Sequence, residues 1–157
     1  MAQGKYKDTN GSLVEALQGV ELFSGVGDKD LELLSRHFVL KTYPRGERLF
    51  SENDAADGLF IVTQGFCGVL VASGSSGEEK EVVLLGRGLS IGEMAWVDRG
   101  KRSGSVVAAS DPVQVAWVPY ETLDLYCRKH PRAGYRIMRN IAADLSFRLR
   151  QQTHGGG

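Results

Sequence analysis

Between His37 and Pro119 every apolar run is short, and each is closed by a turn signal. "HFVLKTY" ends at "PRGE" and is followed by Arg48-Leu49-Phe50 and the polar loop "SENDAADG". "LFIVTQG" and "FCGVLVA" meet at Gln64-Gly65, which predicts a hairpin. "SGSSGEEK" reads as a flexible loop, and "EVVLLGRG" with "LSIG" predicts a further pair of short strands. "SVVAAS", the Asp111-Pro112 turn and "VQVAWVP" complete the series. Short β-rich segments at this spacing pack as a sandwich, a jelly roll or a barrel. Glycine, at 20 residues in 157, exceeds the average of about 7% and suits a chain with so many turns.

Both ends of the chain change to helical period. "SLVEALQGVELF" opens with Ser12 and places Glu15 three positions on, a capping-box start. "DKDLELLSRHF" puts Leu31, Leu34 and Phe38 on one face behind Asp28 as N-cap. "YETLDLYCRKH" predicts a helix that stops at Pro131, and a longer helix starts with that proline at or near its first position. In it Ile137, Ile141, Leu145 and Leu149 recur every four residues, with Met138 and Ala142 widening the stripe. Residues 1–11 are expected to form a flexible arm, 12–152 a single domain, and 153–157 a disordered tail.

Charge narrows the function classes. Lys plus Arg and Asp plus Glu each number 19, so the chain has no global attraction for nucleic acid or anionic membrane. The cations of the last two helices, among them Arg128, Lys129, Arg132, Arg136, Arg139 and Arg150, suit a solvated helix face. The N-terminus has no apolar h-region, so no signal peptide is expected, and no apolar run nears the ~18 residues of a membrane span, so a cytoplasmic location is expected. Cys67 and Cys127 are too few for a metal cluster and read as reduced thiols. His37, His130 and His154 are scattered, and no nucleophile is paired with a base, so no enzyme is expected.

One stretch carries chemistry, "IGEMAWVDRGKRSGSV", from Ile91 to Val106. Gly92 lets the backbone approach a ligand closely. A helical turn starting at Glu93 would aim unsatisfied N–H groups of Glu93, Met94 and Ala95 at an anion. Arg102, nine positions after Glu93, can add a guanidinium fork, and Ser103 and Ser105 flank Gly104 with hydroxyl donors. Glu93 accepts hydrogen bonds and suits a sugar hydroxyl beside the phosphate. A second reading is that Glu93 and Arg102 pair with each other and close a surface loop. Spacing alone leaves both open.

This stretch resembles the phosphate-binding cassette of the cyclic-nucleotide-binding domains, of which the bacterial catabolite activators are members. "LFSGVGDKDLELLSRHF", "YPRGERLFSENDAADGLFIVTQG" and "YETLDLYCRKHP" resemble the same family in the same order, so the likeness runs from about Leu22 to about Leu149. It implies a mainly β fold: an eight-stranded jelly roll, the cupin-like double-stranded β-helix, with N-terminal helices and a C-terminal helical pair. The implied ligand is a cyclic purine nucleotide, cyclic AMP ahead of cyclic GMP, with no further cofactor and no metal. By position, Glu93 would accept from the ribose 2′-hydroxyl, Arg102 would pair with the cyclic phosphate, and Ser103 would bond a phosphate oxygen. Backbone N–H groups from Gly92 onward would complete the cradle.

Four departures from the family pattern stand out. Ile91 replaces Phe, Gly104 replaces Ala and Ser105 replaces Thr. At the positions where relatives contact the base with hydroxyl side chains, this chain has Arg148 and Leu149. The resemblance further implies a homodimer through the last helix and a relay to an unidentified protein effector. Only seven residues follow Arg150, so no DNA-binding helix-turn-helix fits within this chain. Two other classes compete. One is a jelly-roll scaffold that no longer binds nucleotide. The other is a cupin-type enzyme, which needs clustered His and carboxylate ligands.

Overall fold

A computed structural model describes residues 10–155 of the chain. Most of the expected arm, residues 1–9, lies outside the described residues, but Asn10 and Gly11 already belong to the first helix. That helix, α1 (Asn10–Gln18), starts two residues before the Ser12 capping pattern places it. Capping fixes a helix end only to within a residue or two, whereas buried Leu13 and Leu17, four apart, fix its face. A 3-10 turn (Glu21–Phe23) leads to α2 (Asp28–Ser35), which buries Leu31 and Leu34.

Eight strands follow: β1 (Val39–Tyr43), β2 (Arg48–Phe50), β3 (Gly58–Gln64), β4 (Cys67–Ser73), β5 (Glu78–Leu85), β6 (Ser90–Ile91), β7 (Ser105–Ala108) and β8 (Val113–Pro119). A short helix α3 (Glu93–Asp98) sits between β6 and β7, and α4 (Tyr120–Lys129) and α5 (Pro131–Gly155) close the fold. The strands form two antiparallel sheets, ordered β1-β8-β3-β6 and β2-β7-β4-β5. The mainly β jelly roll flanked by helices is therefore the observed architecture.

Pairing departs from the local signals. β3 and β4 do not form a hairpin, because β3 pairs with β6 and β8 while β4 pairs with β5 and β7. Gly65, at φ 82°, turns the chain from one sheet to the other. That corner docks on the facing one: Phe66 N–H donates to Ser110 Oγ at 2.9 Å and Ala109 N–H to Phe66 O at 2.8 Å. A Cβ at Gly65 would lie 2.4 Å from Ser110 Oγ, so the close approach requires glycine. Likewise β5 and β6 lie in different sheets, and β4 with β5 is the one pair joined by a direct connection. The loop expected through Lys80 is shorter, since β5 begins at Glu78.

Burial explains the choice of partners. One apolar cluster lies between the sheets and contains Phe60, Val62, Cys67, Val106 and Val115. The other lies between the first sheet and the helices and contains Leu17, Phe23, Leu59, Ile61, Val118 and Ile137. β3 alternates between them, so both its faces are covered and its run of buried residues is continuous. Both cysteines are free, and burial pushes each thiol up to about 11, which leaves them protonated near neutral pH.

The helical end extends beyond expectation, because α5 continues through Thr153 and His154 to Gly155. Its apolar stripe is divided. Ile137 and Ile141 are buried against the domain and Leu145 is half-buried, whereas Met138, Ala142 and Leu149 are exposed. No helix among the described residues is long and apolar enough to cross a membrane.

Candidate functional site

The site is built where the two sheets open beneath α5. β6 ends at Ile91, which pairs with Phe60 of β3. Gly92 then turns the chain at φ 101° into α3. Ala95 and Trp96 bury the inner face of α3, and Trp96 Nε1 donates to Asp124 Oδ1 of α4 at 2.8 Å. Anchoring that face leaves the first N–H groups of α3 without intrahelical partners, as at every helix start. Trp96 is therefore a core residue that orients the turn.

Arg102 is held more tightly than its sequence context suggests. Its N–H donates to Asp54 O at 3.0 Å, and its carbonyl accepts from Asn53 N–H at 2.9 Å. Its guanidinium carbon lies 4.1 Å from the centroid of the Phe50 ring. Nη1 donates to the Tyr120 hydroxyl at 3.0 Å, and Nη2 donates to Gly58 O at 2.8 Å. Asp57 Oδ1 is 3.4 Å from Nη2, and the Arg102 side chain is 3% exposed while that of Asp57 is 74% exposed. The Nε–H has no partner at all. Among the described residues Arg102 is the one buried charged side chain. Among the described residues its charge is therefore paired only with the solvent-exposed carboxylate of Asp57, and a buried cation with a screened counter-charge and a spare donor favours an incoming anion.

Glu93 stands apart from it. Ser90 Oγ donates to Glu93 Oε2 at 3.2 Å, and Arg148 Nη2 of α5 approaches Oε1 at 3.8 Å. Arg148 also pairs with Asp144 at 3.0 Å, one turn back on α5. The reading in which Glu93 and Arg102 pair and close a surface loop is thus overturned, since each has its own partners. Burial is the main cause that holds the Glu93 carboxyl above the usual carboxylate range. Its own N–H, Ser90 and Arg148 oppose the rise, and Asp144 adds to it.

A carboxyl with a raised folded pKa contributes fully below its unfolded pKa, and that contribution is lost as pH rises through the folded pKa. Glu93→Gln cannot ionise. Its melting temperature relative to wild type is expected to rise with pH across that window and then level off, in thermal melts without ligand from about pH 4 to about pH 8. A difference independent of pH would contradict the raised pKa.

A cavity of about 390 Å³ joins these groups. Gly92, Glu93, Met94, Ala95, Arg102, Ser103 and Gly104 all line it, as does Arg148. Phe50, Val69, Val83 and Leu85 supply an apolar wall. The volume falls in the range of roughly 300–1,000 Å³ typical of small-ligand sites. Ser105, expected among the binding residues, does not line the cavity. It is 2% exposed, and its hydroxyl accepts from Glu52 N–H at 2.8 Å, away from the cavity. Successive strand residues point to opposite faces, so Val106 lining the cavity requires Ser105 to face outward. Leu149 does not line the cavity, whereas Arg148 does.

Four contributors escaped sequence reasoning: Phe50, Asp57, the Gly58 carbonyl and Tyr120. None carries a local signal, since each reaches Arg102 from another element. A larger, open groove of about 540 Å³ beside α1 and α2 contains no buried charged group. Among the described residues no cluster of His, Cys, Asp or Glu is placed to hold a metal ion.

Comparison with known proteins places this geometry in a lineage. The sequence profile of the cyclic nucleotide-binding domain matches residues 40–130, from β1 through α4. The chain is 33% identical over 135 residues to the Cyclic AMP receptor protein of Thermus thermophilus, covering 86% of this chain and 60% of that protein. It is 30% identical over 110 residues to the cAMP-dependent protein kinase type II regulatory subunit of Drosophila melanogaster, covering 70% of this chain and 29% of that one. The crystal structure of the Thermus thermophilus Catabolite Activator Protein superposes with a TM-score of 0.75 at 30% identity, over 86% of this chain and 61% of the other. The chain thus spans about three fifths of the length of this bacterial relative. The profile match covers all the cavity residues except Arg148, and with the shared jelly roll it establishes that the chain belongs to the cyclic nucleotide-binding domain family.

Proposed function

We propose that the cavity binds a cyclic purine nucleotide, cyclic AMP in preference to cyclic GMP, and that the chain is a regulatory module rather than a catalyst. The observation that carries this reading is the buried Arg102 guanidinium, with one donor unpartnered and its one carboxylate contact among the described residues, Asp57, largely exposed to solvent. A cyclic phosphate at the start of α3 would meet that cation and the backbone N–H groups of the turn. Glu93 would accept from the ribose 2′-hydroxyl. Val69, Val83 and Leu85 would pack on the purine, with Arg148 beside it. The preference for cyclic AMP draws support from the names of the relatives above. Occupancy would be relayed through α5, which meets the cavity at Arg148, to a partner. A second copy of the chain is the partner we favour, with the exposed apolar positions of α5 as the interface.

Calorimetry with cyclic AMP, cyclic GMP and 2′-deoxy cyclic AMP tests the reading. Cyclic AMP is expected to bind more tightly than cyclic GMP, and 2′-deoxy cyclic AMP more weakly than cyclic AMP. No heat with any of the three would leave a jelly-roll scaffold that has lost its ligand.

A further inference from the structure

Tyr120, the first residue of α4, stands where four segments meet. Its N–H donates to Asp57 O at 3.0 Å. Its hydroxyl donates to Gly92 O at 2.6 Å and accepts from Arg102 Nη1 at 3.0 Å. One phenol therefore touches both parts of the cavity that suit an anion, the turn at the start of α3 and the guanidinium. Gly92 makes room for this arrangement: a Cβ there would lie 2.4 Å from Arg102 Nη1 and 2.8 Å from the Tyr120 hydroxyl. Burial raises the pKa of Tyr120 although Arg102 lowers it, so the hydroxyl keeps the proton that it donates to Gly92.

We infer that Tyr120 is a positioning residue for the anion site: it holds Arg102 and the Gly92 turn in one register, so that both address the same ligand group. The inference rests on the reading of the cavity as a cyclic-nucleotide site. Arginine has many rotamers, and an arginine that must meet a ligand in one geometry needs its other contacts fixed. The contacts of Arg102 fall on two sides, Tyr120 on one and Gly58 O with Asp57 on the other. Without the Tyr120 hydroxyl, Nη1 loses its partner, and the remaining acceptors all draw the guanidinium toward Asp57. The Gly92 carbonyl loses its donor in the same step. Two other roles are conceivable for the same contacts. Tyr120 could merely anchor the start of α4, or it could hold Arg102 back from a ligand that must pull it free. The three roles predict different binding.

Tyr120→Phe in the full chain keeps the ring and removes the hydroxyl. Calorimetry with cyclic AMP is expected to show about a tenfold rise in Kd, the scale of one hydrogen bond to a charged group. Introduced into Arg102→Lys, the same change should cost much less, because the arginine it positions is gone. A nitrogen-15 spectrum gives a second readout that a plain anchoring role would not move. The Arg102 Nε–H signal should shift when cyclic AMP is added to wild type, and that shift should be reduced in Tyr120→Phe. Unchanged affinity with an unchanged shift would overturn the inference, as would equal losses in both backgrounds. Tighter binding by Tyr120→Phe would overturn it in favour of a restraining role. No binding of either cyclic nucleotide by wild type would overturn the reading beneath it, which is a distinct result.

Discussion

Arg102→Ala is expected to weaken cyclic-nucleotide binding by at least roughly 2–3 kcal/mol, about 30- to 140-fold in Kd. The size follows from where the side chain sits. Arg102 is 3% exposed, so its interaction with a phosphate would be screened little by solvent. Its carboxylate partner among the described residues, Asp57 at 3.4 Å, is 74% exposed, so solvent screens that pairing and leaves the guanidinium able to bind a ligand anion. Truncation would remove that charge and also leave Gly58 O and the Tyr120 hydroxyl without the donors they now accept from. Arg102→Lys should lose affinity as well. A single ammonium cannot stack on Phe50, reach Tyr120 and Gly58 O, and still present a donor to the cavity. Calorimetry on the two variants beside wild type measures both effects. Wild-type affinity in Arg102→Ala would remove the phosphate assignment.

The second large effect is on assembly. Wild type is expected to have the mass of two chains in light scattering, and Met138→Glu with Leu149→Glu the mass of one. α5 is fixed to its own domain by buried Ala133, Ile137 and Ile141, and Asn140 Nδ2 donates to Leu22 O and Ser24 O at 2.9 Å each. Its other side carries Tyr135, Met138, Ala142, Leu145 and Leu149, spaced three and four residues apart. That is the spacing of a coiled-coil seam. Tyr135, Met138 and Leu149 are 64%, 38% and 64% exposed, a heavy apolar load for a helix left in water. Two such seams about a two-fold axis would cover each other. Leu145 is a poorer site for the test, because it packs partly on its own core. Neither Met138 nor Leu149 lines the cavity, so ligand binding should survive the double substitution. A one-chain mass for wild type, with and without cyclic AMP, would refute the dimer.

A second arrangement, in which α5 folds over the ligand as a monomeric lid, requires Leu145 and Leu149 to touch the base. In the structure Arg148 lines the cavity, and neither Leu145 nor Leu149 does.

What the sequence by itself determined is local. The change from helical to strand period and back placed the helical ends and the strands, because side-chain direction repeats every two or 3.6 residues whatever the partner. The spacing of Gly92, Glu93 and Arg102 was legible because they lie within one short connection between two strands. Tertiary structure decided the rest. A Gln-Gly turn does not say which sheet the chain enters next. Gly65 became a corner because the faces of β3 had to be buried against two different layers. Ser105 carried the right chemistry but fell on the outer face, through an alternation set by Val106 in the cavity. The stripe on α5 read as one surface, yet the domain took Ile137 and Ile141 and left Met138 and Leu149 bare. Tyr120, Gly58 and Asp57 hold Arg102 from 18 to 45 residues away, and only the closing of the jelly roll brings them to it. Contacts over that range are fixed by which apolar faces meet, and no window of sequence contains both sides.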